Sequence, residues 1–375
     1  MAYLEEAFNL INILSDQGYK AYIIGGAVRD YLLGKEVYDI DITSNILPNE
    51  LAAIFEVKNT GLKYNSVTVL FHGYEFEVTT FRRDIIYLDN RHPIYEVANS
   101  LEEDVKRRDY TINALAFSPD KKIIDFVDGK KDLDNRLLKA IGNPAIRFQE
   151  DSLRIIRGIH FAAKLDLMIE ENTKQAMKDY AYLIQNLSFN RILEEIKKMI
   201  SSKTYLISFK LMNDLRVVNY LNDFKDGIKL VLSNQVQNLT LLLFLLINYY
   251  KKDLTNLDIK ERKQMEIVYS LMDKDLLNPR THFDYELEYI IYANVLKKVF
   301  NLKPYNDSKL YDLNEKLPLR NMRQLEIDAE DIIRLKNKSG SEIKDALNQV
   351  IDAVLSKKVK NNREELFKYI SKYIK

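Results

Sequence analysis

The chain has 375 residues, of which 46% are hydrophobic and 30% charged, with a formal net charge of +1. That is enough apolar material for a sizeable core and for two or more domains. With no cysteine in the chain, disulfides and thiolate metal sites are excluded. The histidines, His72, His92, His160 and His282, show no metal-ligand spacing, so any metal is expected to be an oxygen-ligated hard cation. The near-zero net charge conceals a split: residues 1–150 hold 18 Lys and Arg against 24 Asp and Glu, and residues 151–375 hold 38 against 31. An acidic first half and a basic second half suit a metal-carboxylate site beside a surface for a polyanion, and ordinary scatter produces such splits as well. The N-terminus is amphipathic and carries Glu5 and Glu6, unlike a signal or transit peptide. The longest apolar run, Leu239–Tyr250, contains Asn248 and is too short to span a bilayer, so a buried core helix and a cytoplasmic protein are expected.

In chain order, residues 3–17 space Leu4, Ala7, Phe8, Ile11 and Leu14 on one helical face, and Gly18 is expected to end that helix. Tyr22–Ile24 reads as a short buried strand. Gly25–Ser44 (GGAVRDYLLGKEVYDIDITS) then combines a glycine pair, an Arg-Asp pair and an Asp-x-Asp. Ala27–Leu33 is predicted as a helix stopping at Gly34, and Tyr38–Ile42 as a second strand. A glycine turn that opens a helix presents backbone N–H groups at a positive dipole end, which suits phosphate. On a strand, Asp39 and Asp41 share one face while Tyr38, Ile40 and Ile42 take the other. Two carboxylates beside a phosphate cradle offer a seat for Mg²⁺. The same pattern also fits a plain glycine turn followed by a strand with a solvated acidic face.

Val67–Phe71 and Tyr74–Phe81 are β-rich runs joined by His72-Gly73 and read as a hairpin. Glu75, Glu77 and Thr79 fall on one face of its second strand. Residues 82–104 read as a long polar loop holding Pro93. Lys106–Phe117 returns to helix-like spacing, Lys122–Val127 is a short strand and Asp128-Gly129 a turn. From about Asn135 the strand signals fade and helical segments run to the C-terminus. In the predicted helix Glu150–Leu165, the residues Asp151, Arg154, Arg157 and His160 recur every third position and occupy one side, with Leu153, Ile155, Ile156, Ile159, Ala162 and Ala163 on the other. A carboxylate and an arginine fork can together read the edge of a base, and the spacing equally fits surface ion pairs. Leu187–Ile200 reads as an N-capped amphipathic helix. Asn306–Ser308 and Ser339–Ser341 are expected loops, and Glu342–Leu355 and Asn362–Ile374 amphipathic, lysine-rich helices.

Six blocks carry a family resemblance: GGAVRDYLLGKEVYDIDIT (25–43), EVTTFRRDIIYLDNRHP (77–93), RRDYTINALAF (107–117), IDFVDGKKDL (124–133), AIGNPAIRFQEDSLRIIRGIHFAAKL (140–165) and the weaker SFNRILEEI (188–196). In this order they resemble the class II tRNA nucleotidyltransferase and bacterial poly(A) polymerase family. The rest of the chain matches only in being helical. The resemblance implies an α+β protein: a polymerase-β-like nucleotidyltransferase head with a mixed sheet (1–135), then an all-α neck for base recognition (136–200), body (201–285) and tRNA-binding tail (286–375).

The resemblance also implies roles. Asp39 and Asp41 would bind catalytic Mg²⁺ ions, with Glu77 as the third carboxylate. Gly26 and Arg29 would hold the triphosphate. Arg108 and Asp109 would contact the nucleotide, Asp109 near the ribose hydroxyls. Asp151 and Arg154 would pair with the base edge in place of a nucleic-acid template, and Arg157 would support that pocket or reach phosphate. His160 stands where relatives commonly have another arginine and would make a weaker, pH-dependent contact to the nucleotide. Lys63-Tyr64-Asn65-Ser66 replaces a segment that commonly reads Lys-His-Gly-Thr, Ser44 replaces a threonine, and Asn190 a frequent glutamate. The implied reaction is attack of an RNA 3′-hydroxyl on the α-phosphate of CTP or ATP, promoted by two metal ions. Because the segment 82–97 is retained, complete C, C and A addition to tRNA is expected rather than C, C addition. A-adding enzymes and poly(A) polymerases share the segment and remain alternatives, as does an inactive RNA-binding protein on the same fold. The implied partners are tRNA, CTP and ATP, with no membrane and no obligatory protein partner evident.

Overall fold

The computed structural model describes residues 2–61, 65–87, 93–234, 240–249, 255, 257–336 and 339–374. Lys63, Tyr64, His92, Leu239 and Tyr250 lie outside them, as does the middle of the 82–97 segment. The chain divides into two compact units, Met1–Ile247 and Asn248–Lys375.

In the first unit, the apolar face of α1 (Ala2–Asp16) buries Leu4, Ala7, Phe8, Ile11 and Leu14. Then follow β1 (Ala21–Ile24), α2 (Gly26–Leu32), β2 (Asp41–Ser44), α3 (Pro48–Ile54), β3 (Glu56–Gly61), β4 (Ser66–Phe71) and β5 (Tyr74–Thr80). After these come β6 (Arg82–Tyr87), β7 (Pro93–Val97), α4 (Leu101–Lys106), a 3₁₀ turn at Thr111–Asn113, β8 (Ala116–Phe117), β9 (Ile123–Ile124) and α5 (Gly129–Asp134). One seven-stranded sheet runs in the order β3-β4-β5-β2-β1-β8-β9. Its only parallel neighbours are β2 and β5; the others are antiparallel. On β5 the period-2 pattern holds: Phe76, Val78 and Thr80 are buried while Glu75 and Glu77 face out.

Three expectations change here. The second strand begins at Asp41, so Asp39 precedes the ladder. Residues 82–104 are not a loop: β6 and β7 pair as their own antiparallel hairpin, with Arg83 opposite Glu96 and their side chains bonded at 2.9 Å, and α4 follows. Isoleucine and tyrosine in both runs favour the extended chain, which the polar residues around them mask. Lys106–Phe117 is not one helix, because its backbone finds partners across the chain. Thr111 N–H donates to Lys139 C=O at 3.0 Å, and Leu115 C=O accepts from Gly25 N–H at 3.0 Å.

Among the described residues beyond α5 the ordered elements are helical apart from a short parallel pair, β10 (Leu137–Leu138) with β11 (Met168–Ile169). The expected helix 150–165 is two: α6 (Pro144–Glu150) and α7 (Leu153–Leu165), with Asp151 extended between them at φ −152°. After β11 come α8 (Glu171–Asp179), α9 (Phe189–Ser201), α10 (Tyr205–Asp214), α11 (Lys225–Asn234) and α12 (Thr240–Tyr249). In α12 Leu242, Leu243, Leu245, Leu246 and Ile247 are fully buried. No helix among the described residues is long and apolar enough to cross a membrane. In the second unit, α13 (Ile259–Leu271), α14 (Pro279–Asp284), α15 (Leu287–Val299), α16 (Asp307–Glu315), α17 (Ala329–Lys336), α18 (Ser341–Leu355) and α19 (Arg363–Tyr373) follow. Leu319, Ile332, Val350, Ile351, Leu366 and Ile370 form a core there. Of the loop expected at 306–308, Asp307 and Ser308 instead open α16, and Asn306 caps it, its Oδ1 accepting from Ser308 N–H at 2.9 Å.

One contact seats α7 on the head. Tyr110 is fully buried, and its hydroxyl donates to Arg154 C=O at 2.7 Å. It can approach because residue 158 has no side chain: a Cβ on Gly158 would stand 2.0 Å from the Tyr110 hydroxyl oxygen. Gly158→Ala is therefore expected to lower stability by roughly 1–3 kcal/mol through overpacking, measured by thermal or urea unfolding. An unchanged midpoint would show that Tyr110 leaves its seat at no cost.

Candidate active site

One cleft of about 860 Å³ gathers residues from distant parts of the first unit. Its floor is the end of β2 and the middle of β5. Parallel register sets Asp41 directly beside Glu77, and Asp39 enters from the segment before β2. On β2 Ile42 is buried while Asp41 is exposed, so Asp41 is turned toward the cleft by the strand's alternation. Ser66 Oγ donates to Glu77 Oε1 at 2.7 Å. Glu75, two residues earlier, forms an ion pair with Lys58 instead. The Asp41 carboxyl is held above the usual range: its burial among protein atoms contributes most, and Glu77 and Asp39 add repulsion that Arg108 and Arg157 oppose. Solvent still reaches this side chain from the cleft. Among the described residues, no three carboxylates or histidines are drawn together into a ready-made metal cage. Their chemistry nonetheless suits one: an oxygen-only set, mutually repelling and open to one cleft, fits a hard divalent cation.

The wall beside the acids is the turn into α2. Gly25 sits at φ +82°, in the left-handed region that glycine tolerates. Its own N–H is taken by Leu115 C=O, so an anion at this helix start would have to use later amides. Gly26 lines the cleft. Arg29 is 5% exposed, and its guanidinium donates to Asp30 at 2.8 Å and to Asn113 Oδ1. Opposite stands Asp109. Arg157 grips its Oδ2 through Nε at 3.0 Å and Nη2 at 2.8 Å, while Asn113 and the Tyr110 N–H hold Oδ1. Burial would raise the Asp109 carboxyl; Arg157 and these hydrogen bonds prevail and hold it below the usual range. Phe161 lies under both cations, its ring centre 5.4 Å from the Arg29 guanidinium and 5.3 Å from that of Arg157.

Asp151 and Arg154 both line the cleft, each already engaged. Arg191 Nη2 reaches the two Asp151 oxygens at 3.0 and 2.8 Å. Arg154 donates to Glu150 at 2.7 Å and to Arg107 C=O at 3.0 Å. The structure thus brings together Gly26, Arg29, Asp39, Asp41, Glu77, Arg108, Asp109, Asp151, Arg154 and Arg157. His160 is the exception: it is not among the cleft-lining residues, and its side chain is 6% exposed with Nδ1 buried and without a hydrogen-bond partner. A three-residue step falls about 60° short of a full turn, so by His160 the side chain has rotated off the face that still points Arg154, Arg157 and Phe161 into the cleft. Sequence reasoning missed Asn113, Phe161, Arg191 and Asp104. Asp104 could have been found, since it stands three and four residues before Arg107 and Arg108, at the end of one short helix. Nothing local marks Asn113 or Phe161.

Residues 21–139 match the poly A polymerase head domain family, and residues 166–225 match the family described as a probable RNA and SrmB-binding site of polymerase A. A CCA-adding enzyme of Staphylococcus epidermidis is 31% identical over 99% of this chain and 98% of its own length. One from Lactobacillus helveticus is 32% identical over 97% and 96%.

The chain belongs to the CCA-adding enzyme family.

The crystal structure of the Bacillus stearothermophilus CCA-adding enzyme in complex with CTP superposes with a TM-score of 0.79 at 28% identity, covering 98% of this chain and 96% of that one. The Thermotoga maritima CCA-adding enzyme complexed with tRNA shares the fold, with a TM-score of 0.66 at 19% identity. Family membership makes the chain a nucleotidyltransferase with a mixed-sheet head followed by helices.

His160 gives this family member a titration of its own. Burial, then Lys164, push its imidazole down to about 4 from 6.5, against the opposing pull of Glu195. Above pH 6.5 the ring is neutral in both folded and unfolded chains. Between there and pH 4 only the unfolded chain takes the proton, so stability falls with falling pH and levels off below pH 4. The loss is on the order of 3 kcal/mol. His160→Gln is expected to flatten the difference in urea-unfolding free energy between pH 7 and pH 4.5. A slope equal to wild type would mean that His160 is not buried in its neutral form.

Proposed function

We propose that this chain adds C, C and A to the 3′ end of tRNA from CTP and ATP, without a nucleic-acid template. The observation that carries the reading is the single cleft: three carboxylates, a glycine turn with Arg29 and Arg108, and the Asp151 and Arg154 side chains all open onto one space. Full-length identity to enzymes named for CCA addition supports it. The reaction forms a bond from the RNA 3′-oxygen to the α-phosphorus, breaks the bond to the β,γ-phosphates, and releases pyrophosphate and the hydroxyl proton.

Asp39, Asp41 and Glu77 would hold Mg²⁺. When bound, the metal supplies Lewis-acid chemistry, acidifying the attacking hydroxyl and neutralising charge on the leaving oxygens. The remaining contributions belong to the chain. Gly26 and Arg29 bind the triphosphate at the start of α2. Arg108 places a guanidinium at the phosphates, and Asp109, pinned by Arg157, accepts from the ribose hydroxyls. Asp151 offers an acceptor and Arg154 a donor fork to the base edge. Since Arg191 and Glu150 occupy those groups here, reading a base requires them to exchange partners. Such fixed contacts act mainly by positioning. His160 takes no part in this reading. Base recognition is assigned to residues 136–200 and tRNA binding to the helical body and tail, 201–285 and 286–375, whose basic surplus suits an RNA backbone. Such a task belongs in the cytoplasm.

Two experiments test this. Transcripts of tRNA ending before CC and after CC, and a non-tRNA oligomer, are incubated with CTP and ATP singly and together. Ordered addition of C, C and A that then stops is expected; a long A tract or no C addition would identify a poly(A) or A-adding enzyme instead. Asp39→Ala and Asp41→Ala are each expected to lower incorporation by roughly 10²–10³-fold or more while tRNA still binds in a gel-shift assay. Turnover at the wild-type rate in either variant would remove these acids from the chemistry.

A further inference from the structure

We propose that Asp104 is a positioning residue that holds Arg108 in reach of the nucleotide's phosphates and off the acids of the cleft floor. The inference rests on the nucleotide-adding reading above and assigns a role to a residue that does not itself line the cleft. The Asp104 side chain is fully buried on α4. Its oxygens meet donors from three directions. Oδ1 accepts from Arg107 Nε at 2.9 Å and from the Arg82 backbone N–H at 3.3 Å. Oδ2 accepts from Arg108 Nη2 at 3.1 Å and from the Thr43 hydroxyl at 3.4 Å. A carboxylate this deep stays ionised only when cations face it, and burial is here outweighed by Arg108 and Arg107, which hold it below the usual range.

The geometry around Arg108 shows why the grip matters. Its other terminal nitrogen, Nη1, reaches the glycine turn. A Cβ on Gly25 would stand 3.7 Å from Arg108 Nη1 and 4.0 Å from Asp41 Oδ2. Arg108 therefore stands between two carboxylates, Asp104 behind it and Asp41 before it. Thr43 lies two residues beyond Asp41 on β2, so Asp104 is braced against the strand that carries the acid. With Asp104 gone, Asp41 is the anion left facing the guanidinium. An arginine that swings onto Asp41 neutralises that acid and turns its fork away from incoming phosphate.

The test is a double-mutant cycle on the full chain, measuring kcat/KM for CTP with a tRNA ending before CC. Arg108→Ala loses the phosphate contact alone. Asp104→Asn loses the contact and leaves Arg108 on Asp41, so it is expected to fall further, by at least about tenfold relative to wild type. Removing the arginine then relieves the Asp104 defect, and the double variant recovers to the level of Arg108→Ala. A double variant worse than either single, or a folded Asp104→Asn within about twofold of wild type, overturns the proposal. A residue that only stabilised the fold would not be rescued by a second loss. Circular dichroism melts check folding, and if Asp104→Asn does not fold, Asp104→Glu enters the same cycle. If the wild-type chain adds no nucleotide to tRNA, the functional reading fails by itself. The cycle is then read in CTP affinity by calorimetry, where the same rescue or its absence decides.

Discussion

A carboxylate removed from water must be matched by a cation, and in this protein that requirement ties the head to the helices behind it. Asp109 belongs to the segment between α4 and β8, and Arg157 to α7. Their two hydrogen bonds at 3.0 and 2.8 Å join elements far apart in sequence. Breaking such a pair on one side leaves a charge with nothing to face it, which costs far more than the pair contributes when intact. Around it the same rule repeats. Arg29 is answered by Asp30 and Asn113, Arg154 by Glu150, Asp151 by Arg191, and Asp104 by Arg107 and Arg108.

The floor of the cleft is the deliberate exception. Asp39, Asp41 and Glu77 all open onto it, and the Asp41 carboxyl is raised, by burial first and then by the repulsion of Glu77 and Asp39, against Arg108 and Arg157. In the proposed reading these acids would be met by positive charge from outside. In the same proposed reading the arginines along the walls would meet the negative charge of a triphosphate. Several of them are already engaged, so the cleft is pre-ordered rather than vacant, and ligand binding becomes an exchange of partners.

Much of this was readable from local pattern. The glycine turn, the strand alternation around Asp41 and Glu77, the N-terminal helix and the amphipathic helices of the second unit all rest on periodicity and turn chemistry, which act over a few residues. The misreadings share a cause. Residues 82–104 set apolar runs among polar clusters and read as a loop, but the backbones of 82–87 and 93–97 pair with each other. Lys106–Phe117 has helical spacing, yet its amides bond to Gly25 and Lys139 partners that no window contains. His160 keeps the every-third-residue rhythm of Asp151, Arg154 and Arg157, but each step falls about 60° short of a full turn, and the rhythm alone could not show that by His160 the side chain has rotated off the cleft face that Phe161 still shares.

The sequence by itself determined the chemistry on offer: oxygen donors without thiolates, a phosphate-friendly turn, acids at strand spacing, and ordered blocks that place the chain in a family of nucleotide-adding enzymes. Only the tertiary structure decided which of these groups meet. Parallel pairing of β2 with β5 puts Glu77, and not Glu75, beside Asp41. The absent side chain at Gly158 lets Tyr110 seat α7, which carries Arg154 and Arg157 to the cleft. Burial of Asp104 turns a lone acid before two arginines into their anchor. Each outcome depends on register, on close approach or on loss of water, and those are properties of packing between distant segments.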